Sequence, residues 1–171
     1  LRIHDAACAI QTELVPGFLC GSRLYRNFSV KEYAMVYTFN TSPREKEVQH
    51  IRDELKLFND AIAGDDNHTP LSIVAYGDDG EIIGGIIGGT YWGWLYIDRL
   101  WIHRDHRKTG IGSSLVRQLE DIARQRGCEF AHLDTMDFQA PGFYEKLGYT
   151  RKFAFDDLPK GHSRIFMAKK I

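Results

Sequence analysis

Apolar residues recur along this chain at two spacings, and the changes from one to the other mark out its elements. Between Ser42 and Gly64 they fall at Val48, Ile51, Leu55, Phe58 and Ile62, in steps of three and four that share one face of a helix. Ser42 is the expected N-cap of that helix, Pro43 its first residue, Glu45 the capping-box partner and Gly64 the stop. Upstream, YAMVYTF at 33–39 has the β-branched and aromatic content of a strand. Downstream, apolar runs over 71–103 are broken by GDDGE at 77–81 and by a second, looser turn where GGT meets YWG, which predicts three antiparallel strands. A helix then follows Gly112, with Leu115, Leu119 and Ile122 on its inner stripe, Arg117, Glu120, Asp121 and Arg124 outside, and Gly127 as its end. CEFAHLDTM returns to strand, Pro141 and Gly148 bracket a short helix, and TRKFAFDD and SRIFMAKKI supply two last strands joined by LPKGH.

A strand, a glycine turn, a helix and a strand in that order form a β-α-β unit with parallel strands and a right-handed crossover. Set among hairpin strands, it predicts the α/β (α+β) class, with a mixed, mostly antiparallel sheet and flanking helices. Residues 1–30 show no sustained period and belong to an N-terminal extension, taken as 1–35 ahead of a domain over 36–171.

Composition narrows the chemistry. Lys plus Arg at 22 against Asp plus Glu at 23 leaves no overall field to attract nucleic acid or an anionic membrane, so any anion site is local. No apolar run approaches the ~20 residues of a membrane span. Cys8, Cys20 and Cys128 are an odd set without C-x-x-C spacing, which argues against disulfides and a zinc knuckle and for a reducing compartment. With no charged leader in LRIHDAACAIQTELVPGF, the reading is a cytoplasmic protein without a metal. Cys128 is expected to be a small buried hydrophobe.

The segment HRDHRKTGIGSSL, residues 103–115, carries the clearest chemistry. Its glycines sit after a strand and at a helix N-terminus, where free N–H groups and the helix dipole favour an anion. Gly110 and Gly112 let backbone approach a diphosphate, Ser113 and Ser114 offer hydroxyls, and Arg104, Arg107 and Lys108 add charge. No G-x-x-x-x-G-K-[ST] string is present, and Leu115 stands where a dinucleotide fingerprint needs its third glycine.

With FYEKLGY some thirty residues on, this segment resembles the GNAT superfamily of N-acetyltransferases. Arg107, Gly110 and Gly112 match that family's [QR]-x-x-G-x-[GA], and Tyr144, Leu147, Gly148 and Tyr149 match its second motif. The resemblance covers about residues 36–171 and implies a sheet whose fourth and fifth strands splay apart. It implies acetyl-CoA as cosubstrate, its diphosphate on Arg107, Lys108, Thr109, Gly110, Ile111, Gly112 and Ser113, and its pantetheine beside Leu100, Trp101 and Ile102 of the fourth strand. It implies Tyr144 as the acid that protonates the departing thiolate. The expected reaction is direct transfer of an acetyl group to a primary amine of a small molecule or peptide, with neither nucleic acid nor membrane as partner and a homodimer left open.

Amine attack also needs a base. Asp98, in LYIDRLWIH, lies two residues after Tyr96 and so on the same strand face, and a carboxylate in an apolar strand has a partner or a shifted pKa. Asp134 has similar standing, His103, His132 and His162 are further candidates, and a water chain can replace them all. Trp92 and Trp94 in TYWGWLY are candidate acceptor-pocket residues, by stacking or cation–π contact. The alternative function is a non-catalytic acyl-CoA sensor using the same cradle.

Overall fold

A computed structural model describes residues 37–171, and the unit Pro43–Ile171 is considered by itself. Its organising feature is a six-stranded sheet in the order β1-β2-β3-β4-β6-β5. The strands are β1 (Thr69–Tyr76), β2 (Ile82–Tyr91), β3 (Trp94–Ile102), β4 (Phe130–Met136), β5 (Thr150–Asp156) and β6 (Ser163–Lys170). Every neighbouring pair is antiparallel except β3 and β4, which run parallel because α2 (Ile111–Gln125) carries the chain across between them. The mixed sheet expected from the sequence is therefore present, and the strand anticipated as the fourth is β3.

One sheet face is dry. Leu115, Val116, Leu119 and Ala123 of α2 pack on Ile86, Leu95, Ile97, Ala131, Leu133, Ile165 and Met167, all buried. Cys128 joins this core as a free thiol. Glu120 was expected on the solvent side of α2 and is instead 1% exposed. It is tolerated there because the Tyr149 hydroxyl donates to it at 2.9 Å and the Lys169 ammonium lies 2.9 Å away, so the buried charge is paired and hydrogen-bonded. Burial, and then the Glu120 charge, push the Tyr149 phenol well above its ordinary range. Helical spacing places a residue on the edge of a stripe, and its partners on β6 and after α3 (Pro141–Lys146) decide whether that edge is covered.

Other turns differ in detail from their sequence reading. The turn between β2 and β3 is not loose: it is Trp92 and Gly93 alone, both at positive φ (43° and 74°), and the GGT residues belong to β2. Helix α1 (Glu45–Ala63) starts after Arg44, whose carbonyl accepts from Glu47 and Val48, and no side chain caps it. The Ser42 N–H donates to the Asn40 side-chain oxygen at 2.8 Å. Gly64 does end the helix, at φ 75°. The expected inner face of α1 is open among the described residues, with Ile51, Leu55 and Ile62 all more than half exposed. Of the strand expected at 33–39, residues 33–36 lie outside the described residues and Tyr37–Phe39 are irregular.

Candidate active site

The site begins at a fault in β3. Ile87 pairs with Arg99 and Gly88 with Ile97, so Asp98 is the extra residue of a β-bulge. A bulge shifts the alternation of side chains: Leu95 and Ile97 point into the core before it, and Leu100 and Ile102 do so after it. Gly88 is what lets the strands come so close here, because a Cβ on it would stand 2.2 Å from the Tyr96 carbonyl oxygen. Beyond the bulge the parallel pairing stops. β3 and β4 are paired only from Trp94–Phe130 to Ile97–Leu133, after which β3 stays with β2 through Ile102 and β4 stays with β6 through Met136. The edges of Asp98–Ile102 and Asp134–Met136 thus diverge across a wedge-shaped gap.

The glycine turn lies at the mouth of that gap. A short 3₁₀ turn (Arg104–His106) leads from β3 toward it, and the Arg107 side chain ties back through Nε to the Ile102 carbonyl at 3.1 Å. Gly110 is the N-cap of α2 at φ 95°, a left-handed conformation that suits glycine. No side chain caps the helix, and no acidic residue stands in its first turn. Among the described residues, the N–H groups of Thr109 to Ser113 donate to nothing. Gly112 is different from Gly110: its φ is ordinary, and a Cβ would meet Phe143 at 3.5 Å and Ile102 at 3.6 Å, which is normal van der Waals contact. The protein interior therefore does not require glycine at 112. A run of free N–H groups, a positive helix end and a bare Cα are together a fit for a diphosphate.

Phe143 brings the second motif to the same place. Its ring contacts the Gly112 position on one side and Tyr144 on the other, the two rings 5.0 Å apart. Tyr144 is 8% exposed and also lies against Tyr149. Its hydroxyl bonds no described residue, and no fully buried side-chain polar atom among these residues lacks a partner, so the hydroxyl opens on solvent-accessible space. Burial first and the nearby Asp134 charge second push this phenol up to about 12. It is a proton donor across the neutral range.

The two carboxylates at the gap are not equivalent. Asp134 is held by Arg164 of β6, Nε to Oδ2 at 2.7 Å. Asp98 is more open, its side chain 38% exposed, with the Tyr96 hydroxyl and Arg99 Nε each at 3.5 Å. Both lie on the sheet face away from α2, where an aromatic floor leads toward them. Trp94 stacks on Phe130 at 4.7 Å and Tyr96 on His132 at 4.9 Å, rung by rung along the parallel pair. The Tyr91 hydroxyl meets His132 Nε2 at 2.5 Å, and burial, more than the opposing Asp134 charge, lowers the histidine's pKa. Trp92 does not join this floor. It sits on the hairpin turn, its indole N–H bonded to the Gly64 carbonyl at 3.3 Å, at the end of β3 far from the gap. His103 accepts from the Asp105 N–H beside the glycine turn, and His162 pairs with Asp137 across two loops. Arg164 and Phe143 escaped the sequence reading, and Tyr96 entered it only as the residue that sets the strand face of Asp98.

A profile of the acetyltransferase (GNAT) family matches residues 33–149. The chain belongs to the GNAT acetyltransferase family. Among relatives of this acetyltransferase, the blasticidin-S acetyltransferase of Streptomyces morookaense is 39% identical over 60% of this chain and 78% of its own. An acetyltransferase of Agrobacterium fabrum is 36% identical over 71% of this chain and 88% of its own. The crystal structure of an acetyltransferase from Bacillus cereus superposes with a TM-score of 0.71 at 34% identity, covering 78% of this chain and 98% of that one. The GNAT acetyltransferase therefore has its bulge, gap, glycine turn and motif tyrosine assembled on the fold of an enzyme family. No helix among the described residues is long and apolar enough to cross a membrane.

Proposed function

We propose that this N-acetyltransferase takes acetyl-CoA as donor and moves the acetyl group directly to a primary amine of a small molecule at the gap between β3 and β4. The single observation that carries this is the convergence on that gap of a free helix N-terminus, an unpaired strand edge and a proton-bearing phenol. The N–H groups of Thr109–Ser113, with Arg107 and Lys108 beside them, receive the diphosphate, and the edge of Leu100, Trp101 and Ile102 pairs with the amides of the pantetheine arm. A backbone N–H freed at the bulge donates to the thioester carbonyl and to the oxyanion that forms as the amine attacks. The C–N bond forms, the C–S bond breaks, and Tyr144 delivers its proton to the leaving sulfur.

An alkyl ammonium has a pKa of ~10.4 and must lose a proton before it attacks. Asp98 is the proposed acceptor, because Asp134 is engaged by Arg164 while Asp98 meets only a hydroxyl and a strand neighbour at 3.5 Å. Asp134 then orients, and the floor of Trp94 and Tyr96 receives the body of the acceptor. Trp92 is left out of the pocket. An anionic wall beside aromatic rings favours a cationic acceptor with a flat or apolar part.

The test is an acceptor panel with free-thiol detection, in which polyamines and amino acids stand beside blasticidin S, the compound named for the Streptomyces relative. Thiol release with at least one amine, matched by an acetylated product, is the expected result. Binding of acetyl-CoA with no amine-dependent release across the panel would favour the non-catalytic sensor.

A further inference from the structure

The sheet face that carries Asp98 and Asp134 does not end at the gap. Across β4, β6 and β5 its side chains stand in two rows: Asp134, Phe166 and Phe153 are neighbours from strand to strand, and Met136, Arg164 and Phe155 are neighbours in the next. Phe153 stacks on Phe166 with the ring centroids 4.4 Å apart, and Phe155 stands edge-on to both. Phe153 and Phe155 are about half exposed, at 52% and 51%. This open aromatic platform continues the floor of Trp94 and Tyr96 past Asp134.

Arg164 stands between the platform and the gap. Its Nε donates to Asp134, its guanidinium carbon lies 5.5 Å from the centre of the Phe166 ring, and its side chain is 38% exposed. A guanidinium carries five N–H donors, and among the described residues neither Nη of Arg164 donates to anything. Pairing with Asp134 thus fixes the group and leaves most of its donors unengaged. Tyr96 shows how close the charges are. Its hydroxyl donates to Asp98, and burial, then the Asp134 and Asp98 charges, push its phenol up while Arg164 opposes them. An anionic and a cationic group therefore lie within electrostatic reach of one point at the gap.

We propose that Arg164 and the platform of Phe153, Phe155 and Phe166 form the far half of the acceptor pocket, taking a carboxylate and an apolar body, so that the acceptor is an apolar or aromatic amino acid or a compound with the same pairing of amine and carboxylate. This rests on the reading of the gap as the place where an amine is acetylated. The amine faces Asp98, the carboxylate accepts from the Arg164 Nη groups, and the apolar part rests on the rings. Polyamines, which would bring a second cation toward Arg164, are disfavoured.

Steady-state acetylation of phenylalanine and of phenylalaninamide, by wild type and by Arg164→Gln, tests it. The ratio of kcat/KM for the acid over the amide is expected to fall about tenfold to a hundredfold in the variant, the scale of a lost pair of charge-assisted hydrogen bonds. Comparing ratios cancels the unequal basicity of the two amines and any general damage from unpairing Asp134. Phe155→Ala is expected to lower the preference for phenylalanine over glycine about threefold or more. A further arm needs only wild type: phenylpropanoate, which has no amine, should compete with the acceptor but not with acetyl-CoA, and should inhibit about tenfold or more better than phenylpropanamide. That arm decides should Arg164→Gln not fold, or should another amine be the one turned over. An unchanged acid-to-amide ratio in folded Arg164→Gln, an unchanged preference in Phe155→Ala, or equal inhibition by the two analogues would each overturn the proposal and leave acetylation at the gap standing. No acetylation of any amine would bring down both.

Discussion

Tyr144→Phe is expected to lower kcat by ~10²- to 10⁴-fold, the usual cost of removing a general acid, while acetyl-CoA affinity stays close to wild type. The substitution keeps the ring that packs between Phe143 and Tyr149 and removes only a hydroxyl that bonds no described residue. A structural role would give the opposite pattern, a stability loss of about 1 kcal/mol and little change in turnover. The pKa of about 12 adds a second signature. The proton stays on the phenol through pH 10, so no basic limb of the wild-type kcat profile below that pH belongs to Tyr144. Linkage gives the matching stability effect. A phenol whose folded pKa lies above its unfolded value of ~10 contributes stability that is complete below pH 10 and lost as pH rises toward 12. Melting curves over that window should therefore fall more steeply for wild type than for Tyr144→Phe, and a variant turning over within about threefold of wild type would remove Tyr144 from the chemistry.

Gly112→Asp carries the second large effect. It sets a carboxylate among the free N–H groups of the α2 N-terminus, where the diphosphate is proposed to sit, and should weaken acetyl-CoA by roughly 100-fold or about 3 kcal/mol, the scale of one or two charged hydrogen bonds. Gly112→Ala separates causes. An added Cβ meets Phe143 and Ile102 at ordinary contact distance, so the alanine variant should melt with wild type while still binding the donor more weakly. Full donor affinity in a folded Gly112→Asp protein, measured by titration calorimetry, would place the anion elsewhere.

How far the sequence reached depended on whether a feature is local or tertiary. The glycine turn, the helix over Ile111–Gln125 and the pairing of Pro141 with Gly148 around Tyr144 are written in adjacent residues, and all were legible. The bulge at Asp98 was not, because it exists only against Gly88 on the neighbouring strand, and no alternation within LYIDRLWIH reveals it. Asp98 was found for a reason that held only in part: it shares a face with Tyr96, yet its partners are loose and its position is set by the bulge. The difference between Asp98 and Asp134 was invisible because Arg164 arrives from a strand thirty residues away. Glu120 was misplaced for the same kind of reason, its partners Tyr149 and Lys169 lying far along the chain. Trp92 and Trp94 looked alike as a cluster, and a turn of only two residues sends them to different places.

The central claim is that acetyl-CoA occupies two sets of backbone N–H groups at once, those of the glycine turn and those of the strand edge at the gap. Amide hydrogen exchange with and without acetyl-CoA reads both directly, since an N–H that gains a hydrogen-bond acceptor exchanges more slowly. Protection is expected in peptides spanning Asp98–Ile102 and Thr109–Ser113 together, with β1 and β5 unchanged. Protection confined to other segments, or none at saturating acetyl-CoA, would contradict it.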